Sequence, residues 1–495
     1  MSAYIVLAVG RVSELVPGLH QIPLVKVVFV LAIISAMRHR EDLASATWKS
    51  VPPAKLTVFL TGIITVSISF SVLRSATFGL ITNWVTLVAA TLILSIKASR
   101  GWPSVKTMLH GTVFTALILT IAAFTTNEAG RAGYSSNYDP NDFAFVMVGL
   151  LPLVVTFGTI SRGKKRLLYF GTAFFLALAI LFTQSRGGFL GLIFDIIAMT
   201  FLLPVAWRGQ LQFRTSKSQV IARVVLLALI GVVGWQSLPG PARDRLESIT
   251  SLGSDYNANS DTGRIAIWSR NLPYVLHRPW GYGAGTFETV DGLFGGGRYQ
   301  APHNTYLQAL VELGVAGFVL FIAVIVSSLR YLYVPADTEP ENHRVTAPDE
   351  PRAFARALAV GLIGLCISGI FLSELYAFVY WTFVSLSCAV GIVRRMPSGA
   401  RGAPRSGWPA VRRRPEHGTD LTVRPTAKPT TSVGHSVRDR RIPRKIPELA
   451  REKLCLYQGA RRAQLLCAAT ITEAVRVQPK HGTCADLGAG RRRSL

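Results

Sequence analysis

His303 and Asn304 head an apolar run in "QAPHNTYLQALVELGVAGF" (300–318). Anchoring a membrane helix needs only Trp, Tyr or Lys at its end, so this pair asks for another explanation. Three more polar stretches border apolar runs. "YDPNDFAF" (138–145) holds Asp139, Asn141 and Asp142; "TQSRGGFLGL" (183–192) holds Arg186; "GRIAIWSRNLPYVLHRPWGYGAGTF" (263–287) begins with Arg264. Guanidinium forks stay charged and grip phosphate oxygens in pairs. A histidine takes a proton from an attacking hydroxyl near neutral pH. Two arginines and a histidine at one membrane face therefore suit glycosyl transfer from a lipid-linked diphosphate sugar to an alcohol. No HExxH, Cys/His cluster or G-x-x-x-x-G-K-[ST] loop accompanies them. The five cysteines are scattered without a CxxC pair. Neither a metal set, a cofactor nor a nucleic-acid partner is expected.

Each residue also has a plainer reading. Asp139 or Asn141 can cap the next helix, and Arg186 can snorkel to headgroups. Arg264 can be a solvated loop charge, and His303 a helix-start residue bonded to a backbone carbonyl. Asp195, inside an apolar run, is either a buried paired group or a packing device. Glu312 and Glu374 stand near run ends, where they can pair with arginines.

The elements that position these residues are legible in bulk composition. Of 495 residues 50% are hydrophobic and only 16% charged, with mean hydropathy +0.36; a soluble domain carries about 25% charged residues. Apolar runs recur at about 22–37, 56–73, 77–96, 107–124, 142–160, 167–183, 187–206, 220–237, 306–328, 353–372 and 375–393. Each is close to the ~20 residues that cross a bilayer. Residues 3–10 would be the stump of a twelfth span if the true start lay upstream. One set of loops carries 17 Lys/Arg, among them Lys49, Lys97, Lys106 and Lys164; the alternate short loops carry only Arg74, Arg131 and Arg186. The first set is thus expected in the cytoplasm. The net charge of +26 is uneven: residues 394–495 hold 23 Lys/Arg and 7 Asp/Glu, or +16, and the other 393 hold 30 and 20, or +10. The expected organisation is N-terminal transmembrane helices at 1–237, a large periplasmic loop at 238–305, C-terminal transmembrane helices at 306–393, and a disordered basic cytoplasmic tail at 394–495. The tail, directly cytoplasmic of the last run, can touch anionic lipid.

The motifs "YDPND", "SRGG", "GRIAIW", "HRPWGYGAGTF" and "PHNTYLQALVELGVAG", in that order, resemble the O-antigen ligase / O-antigen polymerase superfamily of bacterial glycosyltransferases. The resemblance covers about residues 20–393. It implies an all-α polytopic membrane fold of about 11–12 transmembrane helices, GT-C-like, in the bacterial inner membrane with the active site facing the periplasm. It implies metal-independent transfer, with inversion, of a glycan from an undecaprenyl-diphosphate carrier in cell-surface polysaccharide assembly. The resemblance implies as acceptor a lipid A-core, a polysaccharide or a protein. The family's arginines fall on Arg186 and Arg264 and its histidine on His303. Asn304, Asp139, Asn141, Asp142 and Tyr306 are then expected to hold sugar or to orient the catalytic groups. A polymerase of the same superfamily, and a transporter of lipid-linked glycans, are the alternatives. The transporter predicts matched, interrupted spans, which the sequence does not display.

Overall fold

The computed structural model describes residues 1–11, 24–38, 44–125, 127–128, 131–132, 139–207, 210–212, 217–237, 240–247, 260, 263–296, 298–333 and 350–396. The basic tail beyond 396 and the middle of the long loop lie outside these residues.

In hydrocarbon, backbone amides and carbonyls have only one another as partners, so apolar runs of bilayer length fold as helices. The order is α1 (Ser2–Val9), α2 (Leu24–Arg38), α3 (Pro52–Val66, continued by a 3₁₀ turn to Phe70), α4 (Arg74–Ala98) and α5 (Trp102–Thr125). There follow α6 (Pro140–Ile160), α7 (Gly163–Phe182), α8 (Arg186–Leu202), α9 (Lys217–Ser237) and α10 (Gly240–Glu247). The long loop contributes α11 (Arg264–His277) and α12 (Phe287–Phe294); α13 (Thr305–Leu332), α14 (Glu350–Ser368) and α15 (Phe378–Arg395) complete the chain. Two two-stranded hairpins, near 127–132 and 205–212, are the described β-structure. Among the described residues, seven helices are long and apolar enough to cross a membrane: α3 to α7, α13 and α14. The other expected spans are helices too, of 15 (α2), 17 (α8), 21 (α9) and 18 (α15) residues. The chain is an all-α polytopic membrane protein.

Helix α6 is the hub. It is buried on nearly every side and packs against α5, α7, α8 and α14. Without a hydrophobic drive between helices in lipid, small residues that admit close backbones do the packing. A Cβ on Gly361 of α14 would lie 2.5 Å from the Gly149 carbonyl of α6, and one on Gly188 of α8 would lie 2.5 Å from Ala144 Cβ. Outward faces stay apolar: Phe114, Phe175, Ile197 and Val319 are all exposed, as lipid contact requires. Asp195 of α8 is fully buried, and neither carboxyl oxygen has a hydrogen-bond partner among the described residues. Of its two readings, pairing is not what the structure displays.

The two ends of the bundle differ. At one, Lys106 meets Glu350 at 2.8 Å, Arg394 donates to the Leu332 carbonyl, and Arg395 donates to the Tyr331 carbonyl at 2.6 Å. At the other, the start of α8 packs on the end of α14, where Ser368 Oγ donates to the Gly187 carbonyl at 3.2 Å.

Helix α13 departs from a plain span. It breaks at Gly314, whose φ of 69° and ψ of −173° are not helical. The groups freed there bond to the "PWGYGAGTF" turn: Tyr282 N–H donates to the Val311 carbonyl (3.0 Å), Gly283 N–H to the Glu312 carbonyl (2.9 Å), and Val315 N–H to the Pro279 carbonyl (2.8 Å). The Glu312 carboxyl accepts from Gly285 N–H at 2.7 Å, Phe287 N–H at 3.2 Å and the Tyr376 hydroxyl at 2.7 Å. Glu312 thus binds backbone amides and a phenol in place of the arginine expected for it. The turn also docks on the α3–α4 connection: Val72 N–H donates to the Tyr282 carbonyl, and Ala284 N–H to Ser67 Oγ.

Candidate active site

The N-termini of α6, α8, α11 and α13 carry the four polar stretches, and the fold gathers them at one end of the bundle. Each start follows from local chemistry. Asp139 caps α6, its Oδ1 accepting from Asn141 N–H (2.6 Å) and Asp142 N–H (3.0 Å), with Pro140 at the first helical position. Ser185 caps α8 through Gly188 N–H at 3.2 Å, which puts Arg186 in the first turn. Gly263 precedes α11 without a side-chain cap, and Arg264 is its first residue. Asn304 caps α13, its Oδ1 accepting from Tyr306 and Leu307 N–H groups, both at 2.9 Å. A helix N-terminus is electropositive and favours acidic neighbours. Arg186 and Arg264 oppose that preference, so helix stability does not explain them. Helix N-termini and guanidinium groups at one end suit an anion.

The strap after α14 joins the mouths. Ser373 Oγ accepts from the His303 main-chain N–H (2.9 Å). Thr305 Oγ1 donates to the Leu372 carbonyl (2.7 Å) and accepts from Glu374 N–H (3.0 Å). A side-chain hydrogen bond links Glu374 to Asp142, with Asp139 and Arg11 close enough to act on both. His303, half-buried and with a positive φ of 44°, lies within the fields of Arg264 and Asp139.

Electrostatics divide these groups. Burial and the Arg264 guanidinium push the His303 imidazole below its ordinary range, and Asp139 pulls the other way. Burial pushes the Glu374 carboxyl well above its ordinary range; Asp142 and Asp139 add to this and Arg11 opposes it. A neutral imidazole beside a cation can accept a proton.

A second network sets the height of Arg264 and His303. Arg270 grips Asp291 with Nε to Oδ1 at 2.7 Å and Nη2 to Oδ2 at 3.0 Å, and reaches Gln300 Oε1 at 2.6 Å. Asn271 Nδ2 and Gln300 N–H also donate to Asp291, and Trp268 Nε1 donates to the Pro302 carbonyl at 2.8 Å. Burial alone would raise the Asp291 carboxyl, but the bonds from Arg270, Asn271 and Gln300 hold it below its ordinary range.

The structure thus brings together His303, Arg264, Asp139 and Asp142, and sets Arg186 beside the strap on which they rest. Tyr306 is different. Its hydroxyl donates to the Cys366 carbonyl at 2.7 Å and its ring lies 6.2 Å from Phe321, so it faces the packed interior rather than the mouth. The cap role of Asn304 engages its oxygen and leaves its amide nitrogen for any contact with a ligand. Sequence reasoning missed Arg11, Ser373 and the Arg270–Asp291 lock, and gave Glu374 no place in the site. No local signal marks them, because their partners are distant in sequence. Among the described residues there is no cluster of His, Cys, Asp and Glu fit to hold a metal ion.

No curated protein matches the chain. The family model described as O-Antigen ligase matches residues 171–322, a stretch that includes Arg186, Arg264, His303 and Asn304. Three of the four helix mouths therefore fall within the matched stretch, and the match supports the assignment of this chain to the O-antigen ligase/polymerase superfamily.

Proposed function

We propose that this protein transfers a glycan from an undecaprenyl-diphosphate carrier to an acceptor hydroxyl at the periplasmic face of the inner membrane, without a metal ion. The observation that carries this reading is the meeting of His303 with Arg264, both inside the matched stretch, and with Asp139, which precedes it in the chain. In the reaction, His303 takes the acceptor's hydroxyl proton as its oxygen attacks the anomeric carbon. The bond from that carbon to the diphosphate oxygen breaks from the opposite side, inverting the centre. The electron pair leaves on the lipid diphosphate, whose charge Arg264 and Arg186 neutralise. Asp139 tunes His303, and Asp142, Asn141 and Asn304 offer bonds to sugar hydroxyls.

One observation bears on the transporter alternative. Interrupted spans in transporters expose backbone groups to substrate or ions, whereas the break in α13 is filled by the chain's own 279–287 turn. That supports the enzyme.

The test is transfer by full-length protein in lipid nanodiscs, with labelled polyprenyl-diphosphate glycan and a panel of acceptors. A new glycosidic bond on lipid A-core, polysaccharide or protein marks a ligase; one on a second lipid-linked glycan marks a polymerase. Movement of the donor between leaflets with no new bond would defeat the proposal.

A further inference from the structure

At the end of the bundle away from the helix mouths, a cavity of about 270 Å³ lies between the approach to α3 and the end of α4. Thr47, Trp48, Lys49, Ile93, Ile96 and Lys97 line it. Its level follows from what the two spans touch at each end. Val51 and Ile96 pack with Tyr331, near the last residue of the helix that begins beside His303. Ser67 and Thr77, at the other ends of α3 and α4, bond to Ala284 of the 279–287 turn.

The lining is held from within. Lys97 is tied twice to one residue: its carbonyl accepts from Ala44 N–H at 2.9 Å, and its Nζ donates to the Ala44 carbonyl at 3.2 Å. Thr47 N–H donates to Ser50 Oγ at 3.1 Å, and Ser50 Oγ donates to the Thr47 carbonyl at 2.8 Å. Between them Trp48 packs on the Val51–Ile96 cluster, and the Lys49 ammonium lies 5.5 Å from its ring centre. Fixing long side chains costs rotamer entropy, which nothing recovers in an idle surface. At the same end Lys106 meets Glu350, yet among the described residues neither Lys49 nor Lys97 has a carboxylate within salt-bridge distance.

The occupant follows from charge, size and place. Two ammonium groups facing no carboxylate call for an anion. The volume falls below the ~300–1,000 Å³ of pockets that enclose a whole small ligand, so it suits the head of a larger molecule. Ile93, 44% exposed on a membrane-spanning helix, carries the lining toward hydrocarbon, and tryptophan belongs at headgroup level. A basic site at the end of a span meets anionic lipid first. We infer that this cavity binds the phosphate of an anionic phospholipid, with Lys49 and Lys97 supplying the positive charge and Ile93 lying beside an acyl chain. Such a site needs α3 and α4 to span the membrane and owes nothing to the chemistry at the opposite end.

The test uses the full chain in phosphatidylcholine nanodiscs doped with a phosphatidylglycerol that carries a photoreactive group near its phosphate. Crosslinks should map to residues 44–49 and 93–97. Unlabelled phosphatidylglycerol should compete them away, whereas added phosphatidylcholine and millimolar inorganic phosphate should not. Lys49→Gln/Lys97→Gln should cut the labelling about tenfold or more, and Lys49→Arg/Lys97→Arg should keep it. Lys164→Gln/Lys165→Gln removes two exposed lysines at the same end and should change it by less than about twofold. Melting in pure phosphatidylcholine discs shows whether each variant is folded. If the Lys49/Lys97 double variant melts early, Lys49→Glu, at an exposed position, should lower the labelling at least as far. Equal losses in both glutamine variants would mean diffuse surface charge. Competition by inorganic phosphate would mean a free-anion site, and labelling indifferent to Lys49 and Lys97 would mean that they answer to acids of the chain itself. Any of these three results overturns the inference.

Discussion

At the scale of single residues, His303 gives the sharpest expectation. His303→Ala should slow transfer by ~10²–10⁴-fold, the usual contribution of a positioned base, with donor binding retained. A base works only when neutral, so the rate should fall as pH drops through the imidazole's titration. That limb should lie below the ~6.5 of an ordinary histidine, because burial and Arg264 lower it. If His303 instead bound diphosphate as a cation, the rate would rise on acidification and His303→Arg would retain activity. Initial rates from pH 5.5 to 8 decide between these slopes, and Glu374→Gln shows whether the neighbouring carboxyls set the limb instead. Asp139→Asn refines the test. Asparagine caps a helix as well as aspartate does, so melting should be unchanged. Losing the charge that raises His303's affinity for a proton should move the acid limb to lower pH. Arg264→Lys should lose most activity at normal expression: lysine keeps the charge but not the fork, at a cost of about 2–4 kcal/mol by analogy with other donors to a developing anion. Near wild-type turnover would show that the fork is not used. These residues were legible beforehand because helix mouths are local events: a cap residue, a proline, an arginine before glycines. Glu374, Ser373 and Arg11 were not, because only tertiary packing carries them to the mouth.

At the scale of elements, the loop is a locked part rather than a tether. Arg270→Ala should leave the spans inserted yet cut transfer severely, since Asp291 would lose its cation and Gln300, just before His303, its partner. Limited proteolysis within 263–300 should become faster; unchanged cleavage with full activity would show that the lock is dispensable. Asp291, held ionised by its bonds, contributes stability that is present above the ordinary ~3.9 of an aspartate and is lost as pH falls through its lowered value. The lock therefore holds across pH 5.5–8 and does not shape the His303 profile. Gly281→Ala should destabilise the protein by on the order of 1–3 kcal/mol, because its φ of 92° suits glycine and a Cβ would strike the Glu312 carbonyl. A lower melting temperature in detergent checks this. The break itself was hidden from sequence: 305–332 reads as one apolar helix, and a glycine within such a run is ordinary. The "GYGAG" turn was visible as glycine-rich, but its role became clear only once its partner, the open backbone of α13, was seen.

At the scale of the whole molecule, the all-α polytopic class was readable because hydrocarbon permits little else; of the expected 11–12 spans, seven described helices are long and apolar enough to cross a membrane. Truncation after Met396 should leave topology and transfer intact, provided that Arg394 and Arg395 remain to hold the carbonyls of Leu332 and Tyr331. A shortened protein that inserts normally but is inactive would contradict this. The break in α13 also has a consequence for biogenesis. Residues 279–287 leave the ribosome before 305–332 do, and they contact α3 and α4, which are older still. When α13 enters the bilayer, the Val311 and Glu312 carbonyls and the Val315 amide have no helical partners of their own. Their partners are on a turn made earlier, which under the proposed topology has already crossed the membrane. Chain order thus sets assembly order: a turn docked on the first half of the bundle waits, and the newer span is completed by docking onto it.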